Sequence, residues 1–188
     1  MAWVLCCVCA ALTGCNLLGF GKAPPDTAVQ RKLNALQIAI EKQIPAKGKA
    51  KVAVVAVVDT VALKQPAAGE EADQAVLDAA AKRERDVRQG LNESLVRNTL
   101  LDVLQPSQQE QDKARAAVAA ANTCALDAKL AAELGQAIGA EYLVGAMIDD
   151  EGRQVGVAVQ RVSDGVVVFQ DTLQVWSIVA PQRESKKE

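Results

Sequence analysis

The stretch "KVAVVAVVDT" at 51–60 constrains the fold more than any other, because every residue from Val52 to Val58 is valine or alanine. Such a run is too short for a typical helix and is dominated by β-branched side chains, which favour a strand. It shows no polar alternation, so neither face can meet water. A strand of this kind belongs in the middle of a sheet covered by helices on both sides. The rest of the chain must therefore supply two helical layers.

Candidates for those layers flank the run. Asp26 can cap a helix over 27–44, where Val29, Leu33, Leu36, Ile40 and Ile44 share one face, and Pro45 and Gly48 end it. A loop with Pro66 and Gly69 leads to a second helix over about 72–97, with Leu77, Ala80, Val87, Leu91 and Leu95 on its inner stripe. The segment "KRERDVR" on that helix reads as a charged, solvated face. "TLLDVLQ" (99–105) is a short strand. Ser107 and Glu110 have the spacing of a capping box, opening an alanine-rich helix that should stop near Asn122. A further helix carries Leu126, Leu130, Leu134 and Ile138, with Gly139 as its left-handed cap.

The last third changes period. "EYLVGAMID", "RQVGVAVQRV" and "GVVVFQDTLQVWSIV" read as strands, and Asp164-Gly165 between valines is a hairpin signal. Val155, Val157 and Val159 alternate as in a half-buried antiparallel strand. The expected fold is an α/β sandwich: a mixed sheet with a C-terminal antiparallel meander packed against helices. Residues 27–180 form the single globular domain and 181–188 a flexible tail.

The first twenty residues, "MAWVLCCVCAALTGCNLLGF", carry no charge and hold four of the five cysteines. Thr13, Gly14, Asn16 and Gly19 interrupt the run, which argues against a membrane span. Trp3 to Leu12 has the length of a secretory apolar region, although no Lys or Arg precedes it. Leu12-Thr13-Gly14-Cys15 resembles the lipobox of bacterial lipoproteins. The resemblance implies removal of residues 1–14 as a signal peptide, diacylglycerol and an N-acyl chain on Cys15, and a tether over 15–26. Several acyl chains make a stable anchor where one is marginal. Asn16 after the cysteine resembles lipoproteins sent to the outer membrane. An uncleaved amino-terminal helix is the alternative.

Cleavage would remove Cys6, Cys7 and Cys9, and lipid would consume Cys15, leaving Cys124 without a disulfide partner. Cys124 reads as a small buried apolar residue, with an intermolecular disulfide or a reactive thiol as the alternative. The formal charge of −2 with interspersed signs and an aromatic content of 3% give no footprint for nucleic acid. The chain has no histidine, which removes the usual general base, triad member and metal ligand together. No catalytic residue, metal or dissociable cofactor is expected. Asp149, Asp150 and Glu151 read as a solvated turn rather than an acid/base or cation site. Gly135 and Gly139 read as close packing plus a cap rather than a dimerising motif. Ser163 has no histidine to activate it. Phe169 and Trp176 read as core or edge packing and, if exposed, as aromatic anchors for a partner.

The stretch "AAELGQAIGAEYLVGAMI" (131–148) ends a helix at Gly139, turns through Ala140-Glu141 and starts a strand with Gly145 inside it. With the valine hairpin that follows, this pattern resembles periplasmic domains of the curli secretion lipoprotein (CsgG-like) and of the outer-membrane lipoprotein activators of penicillin-binding proteins. It covers roughly residues 48–176. Their shared fold resembles the amino-terminal domain of the Tol-system propeller protein. Curli-type members add membrane hairpins with strands of about 9–11 residues, for which the loops here are too short. The activator type is similar in size and implies a non-enzymatic, protein-binding domain facing the periplasm, with an envelope protein as partner. The tether would reach roughly 40 Å fully extended. The alternative is a homo-oligomer, a self-assembling subunit of an envelope export or motility-associated complex.

Overall fold

The computed structural model describes residues 36, 38, 41–42, 48–63, 73–149, 151–174 and 178. The valine–alanine run forms strand β1 (Ala50–Asp59), with every residue buried except Lys51. β1 lies between β2 (Leu101–Leu104) and β3 (Tyr142–Ile148) and runs parallel to both. β4 (Gln154–Arg161) and β5 (Val167–Gln174) continue antiparallel from β3, giving a five-stranded mixed sheet of order β2-β1-β3-β4-β5.

Parallel neighbours require crossovers. Helix α1 (Gln74–Val96) links β1 to β2, and α2 (Gln108–Ala121) and α3 (Ala128–Ile138) link β2 to β3. The first crossover runs from β1 to one edge and the second from that edge back past β1 in the opposite sense, so one handedness carries the helices to opposite faces. The two cores agree. Val87, Leu91 and Leu95 of α1 join Val52, Val54 and Val57 on one side. Ala114 and Val118 of α2, with Ala131 and Leu134 of α3, join Ala53, Val55, Ala56 and Val58 on the other. Leu36 is helical and packs into the α1-side core, whereas helical Ile38 is exposed. The other residues of the expected 27–44 stripe lie outside the described ones.

Within β1 the pairing with β3 steps from Val54↔Val144 to Ala56↔Gly145, which leaves Val55 as an extra residue. This bulge puts Val55 and Ala56, adjacent in sequence, on the same face. A run of valine and alanine tolerates that slip because both faces are apolar.

Local signals set the helix ends. Ser107 and Glu110 close the capping box, with the Ser107 backbone N–H donating to the Glu110 carboxylate at 2.6 Å. Asn122, in left-handed conformation at φ 51°, stops α2, and Gly139 at φ 77° stops α3. Asp127 caps α3, so Leu126 packs just ahead of that helix instead of within it. The second expected strand is shorter than its sequence range because Asn98 turns the chain: its side chain accepts the Leu100 N–H at 2.9 Å.

β4 departs from the expected half-buried strand. Val155, Val157 and Val159 face the α1-side core, but Ala158 and Gln160 on the opposite face are buried too. The segment between α2 and α3 lies over that face. A methyl on Gly145 would overlap the Cys124 carbonyl, and one on Gly156 would sit 3.0 Å from the Cys124 sulfur. Gln160 fixes the segment: its amide oxygen accepts the Leu126 N–H at 3.1 Å and its NH2 donates to the Leu126 and Gly165 carbonyls at 2.9 and 2.8 Å. Two small residues and one amide read as a wet face in the sequence, yet they are what lets another piece of chain approach.

Candidate functional site: an arginine groove beside a sealed sheet edge

β2 pairs with β1 only over Ala50–Ala53, so the distal half of β1 runs on past its neighbour. Side chains from α1 and α2 close that flank. Asp59, fully buried, accepts from Arg83 at 2.7 Å and from the Val61 N–H at 2.9 Å. The Asp59 N–H donates to the Glu84 carboxylate at 2.8 Å, and Arg115 of α2 donates to both oxygens of that carboxylate at 2.9 and 3.3 Å. "KRERDVR" is therefore not uniformly a solvated face: Arg83 and Glu84 reach inward and hold the end of β1. Glu84 occupies a position of the buried α1 stripe, between Ala80 and Val87.

Along α1 from this network runs a groove of about 640 Å³, walled by Arg85, Arg88, Asn92, Val96 and Arg97 and by Gln105 beyond β2. The helix supplies the wall through spacing: Arg85, Arg88, Asn92 and Val96 recur every three or four residues, forming a stripe beside the apolar one. Glu93 also lines the groove, and Gln89 donates to it at 2.9 Å.

The arginines divide by partner. Arg83, Arg115, Arg153 and Arg161 each pair with a carboxylate. Arg85, Arg88 and Arg97, the other arginines among the described residues, pair with none there, and all three line the groove. Arg88 donates to the neutral amide oxygen of Gln111. Burial lowers its pKa, Arg115 pushes the same way, and Glu84 opposes both. The amide oxygen of Asn92 is buried and meets no hydrogen-bond donor among the described residues. An orphaned acceptor and a desolvated cation at one wall are each costly unless something answers them.

A smaller cavity of about 390 Å³ lies at Tyr142, Arg161 and Ser163. Burial raises the pKa of the Tyr142 hydroxyl. The cation there is already neutralised, since Arg161 pairs with Asp164 at 2.6 Å. This cavity therefore lacks the excess charge of the α1 groove.

The residues singled out from sequence do not gather at either cavity wall as a set. Leu12, Thr13, Gly14, Cys15, Asp150 and Trp176 lie outside the described residues. Phe169 on β5 is partly buried and packs against the α1-side core. Asp149 accepts the Arg153 and Gln154 N–H groups at 2.7 and 3.1 Å, building the β3–β4 turn. Gly135 lets α3 press on Val162, where a Cβ would overlap the valine methyls. Cys124 is a half-buried thiol whose pKa burial raises.

No family model and no curated protein matches the chain. Among solved structures it is similar to the LpoB C-terminal domain from Salmonella enterica, with 11% identity over 78% of this chain and 93% of that one, at a TM-score of 0.40. It is also similar to the LpoB C-terminal domain from Escherichia coli, with 10% identity over 76% of this chain and 93% of that one, at a TM-score of 0.38. The NMR structure of E. coli LpoB is similar as well, with 12% identity over 82% of this chain and 73% of that one, at a TM-score of 0.40.

Proposed function

We propose that the chain is an outer-membrane-anchored lipoprotein whose α/β domain faces the periplasm and acts as a non-enzymatic module that binds another envelope protein. Regulation of peptidoglycan synthesis is the specific task we assign to it. The observation that carries the binding role is the groove in which three arginines stand without carboxylate partners among the described residues. A concentration of cations without carboxylate partners favours contact with a surface of complementary charge. The tetrad Leu12-Thr13-Gly14-Cys15 supports the anchor.

A second reading, a self-assembling envelope subunit, draws on Val166 and Val167, exposed at the start of the outer strand β5. An apolar strand start at a sheet edge favours pairing between copies. Light scattering of the detergent-solubilised chain separates the two: a protein mass of one chain favours the adaptor, and a ring-sized mass the subunit. Metabolic labelling with a palmitate analogue tests the anchor. Labelling that persists in Cys15→Ala contradicts it.

A further inference from the structure

The groove on α1 carries more information than its charge. Three guanidiniums on one wall repel one another, and Glu93 in the lining with Glu84 and Asp112 near Arg88 offset part of that charge without pairing with any of the three, in a chain whose overall charge is negative. Solvent can carry that cost for Arg85 and Arg97, which are exposed, but less well for Arg88, which is part-buried against Gln111. The occupant must therefore bring anions.

Spacing narrows the choice further. Arg85 and Arg97, the C-cap of α1, stand twelve residues apart, about 18 Å along the helix axis. One compact anion such as phosphate or sulfate does not engage the whole wall. An acidic peptide does, because it carries several carboxylates along its length, each matching a guanidinium fork. Val96, 63% exposed at the rim, offers a surface for the methylene stems of glutamate. The groove is shallow and open, so a chain would lie along α1 rather than insert into it.

We propose that this groove binds an extended acidic segment of a partner protein, with carboxylates on Arg85, Arg88 and Arg97. The inference rests on the binding-module reading and specifies the chemistry of what is bound.

Fluorescence anisotropy of labelled hexaglutamate with the detergent-solubilised full chain tests it. Saturable binding is expected, weakened roughly tenfold or more by Arg85→Gln/Arg97→Gln. Lys129→Gln/Arg153→Gln removes the same charge elsewhere on the surface and should leave affinity within about twofold. Asn92→Asp, nearly isosteric, should also weaken binding by placing a like charge in the groove. Unlabelled hexaglutamate should displace the probe, and inorganic phosphate at equal total charge should not. No saturable binding, equal losses in the two double variants, or equal displacement by phosphate would each overturn the proposal. A partner crosslinked in cells at another surface, with no hexaglutamate binding, overturns this inference and leaves the proposed function standing. Loss of lipid labelling with hexaglutamate binding intact does the reverse.

Discussion

The Glu84 carboxylate accepts the backbone N–H of Asp59, so a helix side chain stands where a strand neighbour would otherwise pair with the end of β1. β2 ends too early to do so. The same carboxylate is clamped by Arg115, which ties α1 to α2 around the sheet edge. The arrangement closes an edge that would otherwise offer a free main-chain donor.

Glu84→Ala should destabilise the domain by about 2 kcal/mol, chiefly because the Asp59 N–H loses its acceptor. Arg115 is 41% exposed, so water can solvate its freed charge and little further cost arises there. Glu84→Gln keeps an acceptor oxygen and should cost about half as much. Urea unfolding at unchanged slope reads the difference.

Asp59 is buried beside Arg83, whose side chain is 32% exposed. Arg83→Met strands a carboxylate in the interior and should cost roughly 3 kcal/mol. Adding Asp59→Asn should recover at least half of that loss. The neutral amide still accepts the Val61 N–H and no longer needs a counter-charge. If the double variant is as unstable as Arg83→Met, the charge is not the source of the cost.

Glycines at two positions should respond differently to the same methyl. Gly145→Ala drives a Cβ into the Cys124 carbonyl and should cost about 3 kcal/mol or unseat the α2–α3 segment from the sheet. Gly139→Ala meets open space, so only its left-handed backbone is strained, at about 1 kcal/mol. Thermal melts of the two variants rank them directly.

The elements with single-signal causes were legible in the sequence. β1 follows from its unbroken valine–alanine run, α2 from its capping box and Asn122, and the last hairpin from Asp164-Gly165 at φ 69°. Features that join distant segments were not. The bulge at Val55 leaves no trace where both faces are apolar. The cover over β4 is written in Gly156 and Gln160, which alone look like a solvent face. Glu84 did leave a signal, a carboxylate on the apolar stripe of α1. The groove left another, a second stripe of Arg85, Arg88, Asn92 and Val96. Both were masked by the local richness in charge, because a run of charged residues does not say which of them lack partners.

Burial raises the Cys124 pKa, so the fold favours the neutral thiol over the thiolate. That contribution to stability is complete below the unfolded thiol pKa of about 8.5 and disappears as pH rises through the higher folded value. Between about pH 7.5 and pH 10, the parent should therefore lose more unfolding free energy than Cys124→Ala. Equal losses in denaturant titrations at the two pH values would count against a buried thiol.

A photocrosslinking residue placed at Val96 in cells tests whether this domain works by binding through the α1 groove. Adducts of one discrete mass with an envelope protein are expected, lost in Arg85→Gln/Arg97→Gln and absent with the crosslinker at exposed Lys129. A ladder of adducts between copies of this chain, or the same adducts from both positions, would mean that the groove is not where an envelope protein docks.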